Sequence, residues 1–253
     1  MKNKLVRTLS VITCILFIAS GLTSCESDKE PPPAYAYTET DRDITITFGK
    51  TESVNNREGY DLTVTRLSVA VDGKPDLSQE INTLLDEWLR NGLNQSDRLW
   101  DTLSAYDNER TFSLSNFVSF NSNGILSLVC RLEYREYGEL FSYVLDSCTW
   151  DLGRGDAISV TEMLPMNMVD YENFLTMNFE PLISAAPERF PASLVEAAGK
   201  YSEHIEYYVT KKGVTLYIHY KHMDYQKSYL EHTLEFKSNP GMFGYDLEIV
   251  EEQ

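Results

Sequence analysis

His219-Tyr220-Lys221-His222-Met223-Asp224 is the densest cluster of chemically capable side chains in the sequence. Two imidazoles and a carboxylate are the right types for metal ligation or general-base work. Their spacing opposes it. VTLYIHY (214–220) alternates as a strand, and residues three apart in a strand point to opposite faces, so His219 and His222 converge only across a bend at Lys221. His232 shares a face with Leu230, Leu234 and Phe236 and reads as a core histidine. No metal site, no cofactor and no catalytic residue is expected.

Glu133, Asp146 and Asp151 are the carboxylates considered for glycosidase-type acid–base chemistry, Asp146 first because it falls on an apolar strand face. With 39 acidic residues, some carboxylates meet by chance. Asp151 and Asp156 flank Gly153-Arg154-Gly155 and could hold a calcium ion, although the loop carries fewer ligands than a calcium site needs. No P-loop, dinucleotide fingerprint, Gly-x-Ser-x-Gly elbow or His-Glu-x-x-His occurs. Tyrosines gather at two turns, and tyrosine binds sugars or proteins at low entropic cost. Tyr134, Tyr137, Tyr220 and Tyr225 are the candidate ligand face; ordinary sheet packing is the plainer reading of the same residues.

These residues hang on a central hairpin, 125–152. In its first strand Leu126, Leu128, Cys130, Leu132 and Tyr134 alternate with Ser127, Val129, Arg131, Glu133 and Arg135, a period of two that buries one face and wets the other, with Val129 the exception. Placing Cys130 opposite Cys148 aligns Leu128 with Trp150 and Tyr134 with Val144. A disulfide between Cys130 and Cys148 is the expectation, worth about 3 kcal/mol on the chain-entropy model; two buried free thiols are the alternative.

The first residues supply a compartment. Lys2, Lys4 and Arg7 precede an apolar run, Val11 to Leu22, too short to anchor in a bilayer. It ends in Leu22-Thr23-Ser24-Cys25, which resembles the lipobox of bacterial lipoproteins. Residues 1–24 are therefore expected to be a signal peptide, Cys25 the lipidated residue (palmitate among its acyl chains) and membrane link, and 25–41 a Pro-rich tether. The protein would then sit in the cell envelope, lipid-anchored at the outer membrane. The chain carries 22 basic against 39 acidic residues, a net charge of −17. That balance disfavours nucleic acid and anionic membrane surfaces and suits a cationic partner.

In order, DITITFG (43–49) and YDLTVTRLSVAV (60–71) read as strands, the second with a parity shift that a bulge near Thr65-Arg66 would absorb. Leu77, Ile81, Leu84, Leu85, Trp88 and Leu89 follow helical spacing from an Asp76 cap to a stop at Asn91-Gly92, with a second short helix around Leu99 to Tyr106. TFSLSNFVSFN (111–121) is a strand. Prolines at 165, 181, 187 and 191 divide 161–200 into short helices. Segments 205–210, 214–220 and 229–236 are strands, and Tyr245 to Val250 a short last one. The fold class is α+β, a mostly antiparallel sheet with a few helices packed on it, divided as 42–120 and 121–253.

The order of segments resembles the extracellular domain shared by the anti-sigma factor RsiV and the peptidoglycan deacetylase PdaC, a domain of unknown function. EINTLLDEWL (80–89) resembles the family's first helix, 132–165 its central hairpin and VTKKGVTLYIHY (209–220) its Gly-turn hairpin, with Tyr220 as the family's Tyr; Leu140 stands near the place of the family's turn histidine. The resemblance implies an RsiV-like fold in 121–253 and a non-catalytic binding or sensing domain for a protein or glycan partner, lysozyme in the case of RsiV. A hydrolase acting on peptidoglycan or a related glycan is the alternative function.

Overall fold

Two-residue alternation makes the strands, and one long 3.6-residue period makes the longest helix. The computed structural model describes residues 37–41, 44–49, 51–54, 60–103, 110–136, 139–187, 190, 205–219, 230–239, 241–245 and 247. In chain order these contain β1 (Tyr37–Asp41), β2 (Ile44–Phe48), β3 (Glu52–Ser53), β4 (Tyr60–Thr65), β5 (Leu67–Val71), α1 (Pro75–Leu103), β6 (Arg110–Ser122), β7 (Ile125–Glu136), β8 (Glu139–Asp151), β9 (Asp156–Ala157), α2 (Val160–Met163), α3 (Met168–Ala185), β10 (Ile205–Val209), β11 (Gly213–Ile218) and β12 (Glu231–Glu235). Every described strand pair is antiparallel except β4 with β6, so the class is α+β as expected. Residues 1–36, with the leader, Cys25 and most of the tether, lie outside the described residues. The tether ends earlier than expected, because 37–41 form β1 against β2.

The strands form a six-stranded sheet, β3-β4-β6-β7-β8-β9, and two three-stranded sheets, β1-β2-β5 and β10-β11-β12. The parity shift near Arg66 is where β4 ends and β5 begins. Val64 and Thr65 are buried on one side of exposed Arg66 and Leu67 on the other, so the break hands one ribbon from the large sheet to a small one.

One continuous helix replaces the two expected over 76–106. Pro75 opens α1, with Asp76 in the first turn rather than at the cap, and the helix runs through Gly92 to Leu103. Gly92 is there for closeness. A Cβ at that position would fall 2.4 Å from Leu114 Cδ1 and 3.1 Å from Leu145 Cδ1, so its hydrogen lets α1 lie on β6 and β8. Ile81, Leu85, Trp88, Leu89 and Leu99 enter the core formed with Leu114, Leu126, Leu128 and Leu132. Similarly, α3 passes through Pro181 instead of breaking there; Met177, whose carbonyl loses its helical partner, is on the exposed side. The tail 241–245 forms turns and bends, and most of the expected last strand, Tyr245 to Val250, lies outside the described residues.

The β7–β8 register differs from the expected one by two residues around the cysteines and by three beyond the bulge at Leu145. Cys148 lies opposite Leu128, Trp150 opposite Leu126, Asp146 opposite Cys130 and Phe141 opposite Tyr134, with Leu145 left over as a bulge. From Asp146 to Leu152 a slip of two keeps each side chain on its face, so alternation alone cannot choose between the two registers there, whereas the bulge at Leu145 turns Val144 to the other face. The turn chooses. Pairing of Glu136 with Glu139 leaves a two-residue connection, which sets the register at that end. Cys130 and Cys148 are consequently diagonal neighbours and free thiols, not a disulfide. Diagonal positions separate by about 7–8 Å, whereas bridged cysteines need Cβ atoms about 3.8 Å apart.

The face of β7 expected to be wet is buried. Ser127 and Val129 are fully buried and Arg131 is 7% exposed, because β10-β11-β12 covers them. The central strands thus have α1 on one side and a second sheet on the other. β6 runs unbroken through 120–121 and pairs with β7 along its length, so the expected division there is not a boundary; 34–253 is one unit. A second core, with Met163, Leu164, Tyr171, Leu175, Phe179, Val214 and Leu216 among its members, joins α2, α3 and the second sheet.

Candidate functional site: the polar seam and the acidic helix face

Hydroxyl groups on the covered face of β7 and β8 hold the backbone of β10. Ser147 Oγ donates to the Tyr207 carbonyl at 2.7 Å, and the Val209 N–H donates to Ser127 Oγ at 3.0 Å. Thr149 Oγ1 in turn donates to Ser127 Oγ at 2.9 Å. Side chains here stand in for the missing neighbour strand, which is why this face alternates as polar yet is buried.

Charged groups complete the seam. Arg131 Nη2 donates to Glu231 Oε1 at 2.8 Å and to the Tyr208 hydroxyl at 3.1 Å, and Tyr208 donates to the same carboxylate at 2.9 Å. The Arg131 guanidinium also lies 5.7 Å from the centre of the Phe117 ring. Tyr217 contacts Ser147 Oγ at 2.8 Å and Glu206 Oε2 at 2.6 Å. Burial first, then the neighbouring Glu206, pushes the Tyr217 phenol well above its ordinary range. The sequence pattern marks none of Arg131, Ser147, Glu206, Tyr208 and Glu231 as a functional group, and Tyr217 only as one of the tyrosines gathered at the later turn. The available signal was Val129, the one apolar residue on the polar face, which packs with Val144, Tyr208 and Tyr217.

His219 follows β11 and is 4% exposed, with Nε2 3.7 Å from Asp146 Oδ1. His222, Asp224, Tyr220, Tyr225 and Tyr137 lie outside the described residues. Tyr134 is not a ligand-facing residue: it is 1% exposed and stacks on Phe112, Phe141 and Tyr143 with centroids 5.8, 5.0 and 6.0 Å away. His232 packs edge-on against Phe179, and burial lowers its pKa.

The carboxylates considered for hydrolysis do not assemble. Asp146 and Asp151 are five positions apart on β8, roughly 17 Å at strand rise, beyond the about 5–9.5 Å that a glycosidase pair requires. Asp151 Oδ1 accepts from the Gly153 and Arg154 N–H groups within its own turn. Arg154 occupies the position considered for calcium, with Nε 2.9 Å from Asp156 and 3.4 Å from Asp151 and Nη1 3.0 Å from Glu162. Among the described residues no three metal-capable side chains cluster.

On the opposite layer, α1 presents a shallow groove lined by Asp76, Gln79, Glu80, Thr83, Leu84 and Glu87. The carboxylates at 76, 80 and 87 recur at helical spacing, and no Lys or Arg occurs from Pro75 to Leu89. The negative field extends toward β8. Burial, with contributions from Glu80 and Glu206, pushes the Cys148 thiol up to about 12, partly offset by the Thr149 N–H. Burial and then Asp146 raise Cys130 as well.

The sequence matches no family profile, and no curated protein matches it. Among solved structures it is similar to a DUF3298 family member from Bacteroides fragilis, 13% identical, covering 84% of this chain and 96% of that one with a TM-score of 0.41. It is also similar to a DUF3298 family protein from Pseudomonas aeruginosa, 12% identical, covering 87% of this chain and 97% of that one with a TM-score of 0.39.

Proposed function

We propose that the chain is a lipid-anchored envelope protein, tethered to the outer membrane through Cys25, whose folded part binds a cationic protein or glycan without reacting with it. The observation that carries this reading is the acidic face of α1: Asp76, Glu80 and Glu87 around the half-buried Leu84, on a chain of net charge −17. Carboxylates around an apolar centre favour a basic partner by steering its approach and repel acidic competitors. The lipobox-like Leu22-Thr23-Ser24-Cys25 supplies the anchor and the RsiV-like order of segments supplies the role of sensor.

Binding of the soluble form (residues 26–253) to lysozyme and to fractionated basic envelope proteins, at low and high salt, tests the proposal. A partner retained at low salt and released at high salt supports it, because screening weakens exposed charge pairs. Binding of acidic and basic fractions alike, with no salt dependence, would refute it.

A further inference from the structure

Where a sheet ends, the outward backbone groups of its last strand need another partner or water. Side chains close two such edges in this fold. On β10 the Tyr207 carbonyl accepts from Ser147 Oγ and the Val209 N–H donates to Ser127 Oγ. On β5 the Val69 N–H donates to Asn82 Oδ1 at 2.9 Å and the Val69 carbonyl accepts from Asn82 Nδ2 at 2.7 Å. The Val71 N–H donates to Ser78 Oγ at 2.9 Å. Hydroxyls and an amide take the place of a neighbouring strand.

The far edge of the second sheet is different. β12 ends the order β10-β11-β12. Bonds from the Ile218 N–H to the Leu230 carbonyl and from the Phe236 N–H to the Lys212 carbonyl bracket its ladder with β11. Antiparallel alternation then turns His232 and Leu234 toward β11, and the N–H and C=O groups of Glu231, Thr233 and Glu235 away from it. The Glu235 carbonyl accepts from the Ser238 and Asn239 N–H groups at 3.2 and 3.1 Å. The outward groups of Glu231 and Thr233 have no backbone partner among the described residues, and Thr233 is exposed. This edge also lacks the usual guards: EHTLE holds no proline, lysine or arginine, and its register with β11 runs without a bulge.

Charge decides what can pair there. Glu231, Thr233 and Glu235 share one face of β12. Glu231 Oε1 is engaged by Arg131 and Tyr208, whereas Glu235 is exposed. A second copy added antiparallel about Thr233 would set each Glu231 against a Glu235, and like charges in opposite positions destabilise a sheet. A strand with lysine or arginine at alternate positions meets both glutamates with opposite charge. Lys212 lies one strand inward, opposite Phe236, and Lys237 follows the end of β12, so the carboxylates are the charged groups along the edge itself.

We propose that the outer edge of β12 receives an extended, alternately basic segment of the cationic partner, which adds to the three-stranded sheet as a further strand. The inference rests on the proposed binding of a cationic partner and adds a contact surface to it. Main-chain bonds to Glu231 and Thr233 hold the segment, and the glutamates select its sequence.

The probes are a short peptide alternating lysine and valine and the same peptide N-methylated at alternate amides, titrated onto the mature protein. Methylation keeps the charge and removes the donors that a strand needs. The wild type is expected to bind the unmodified peptide at least about tenfold more tightly, the worth of one or two hydrogen bonds. Thr233→Pro removes an outward N–H and leaves the bonds to β11, so it is expected to lose the same factor. Thr233→Val loses the 2.9 Å hydroxyl contact with Thr215 but keeps the N–H, and is expected to bind as wild type. Saturating peptide is expected to slow hydrogen exchange at the Thr233 amide of the wild type, a readout that stands even where the proline variant folds poorly. Equal affinity for the two peptides, a folded Thr233→Pro variant with wild-type affinity, or unchanged exchange at Thr233 would overturn the proposal. Each of these leaves salt-sensitive capture of basic proteins standing; absence of that capture is the separate failure of the cationic-partner reading.

Discussion

Arg131 and Glu231 stand 100 residues apart in the chain and 2.8 Å apart in the fold, with side chains 8% and 11% exposed. They join the large sheet to the second one. Removing one partner of a buried pair strands the other charge at a cost of about 3–5 kcal/mol, whereas replacing both with apolar residues of similar volume is often near neutral. Arg131→Met is therefore expected to destabilise by roughly 3 kcal/mol in urea titrations, and the Arg131→Met, Glu231→Leu double variant to recover most of that. A double variant no better than the single would show that the pair does not act as a unit.

The thiols give a second expectation. Unfolded in the absence of reductant, the mature protein should release two titratable thiols, from Cys130 and Cys148. In the native state Cys148, its pKa pushed up to about 12, should alkylate slowly near neutral pH, since the thiolate is the reactive form. A mass two hydrogens lower, with no free thiol on unfolding, would restore the disulfide.

The sequence showed much of this fold and less of its chemistry. The alternation in β6, β7 and β8 and the helical spacing from Leu77 to Leu89 marked their elements, and the parity shift at Arg66 marked a real break. The cysteine pairing could not be read, because a two-residue slip leaves Cys130, Cys148 and their neighbours Leu128 and Trp150 on their original face. The seam stayed hidden for a related reason: Ser127, Ser147 and Thr149 look solvated until β10 is known to lie on them. Gly92 misled, because a glycine required for close packing looks the same in sequence as one that ends a helix.

The turn around Arg154 provides a pH expectation. The Ser159 backbone N–H and hydroxyl, then Arg154, hold the Glu162 carboxyl down at about 2. A depressed carboxyl stabilises the fold above its unfolded pKa, and the contribution is lost as pH falls through about 2. The Glu162 side-chain carbon resonance should titrate near that value, and Arg154→Ala should move the midpoint upward. An unshifted midpoint in the variant would separate Arg154 from the cap.

The central claim is that the acidic face of α1 engages a cationic partner. The most direct measurement is the salt dependence of affinity for the captured basic partner, comparing wild type with the triple variant Asp76→Asn, Glu80→Gln, Glu87→Gln. The account predicts at least about tenfold weaker binding at low salt, with most of the salt dependence gone and the melting temperature little changed. Wild-type affinity and an unchanged salt slope in the triple variant would contradict it.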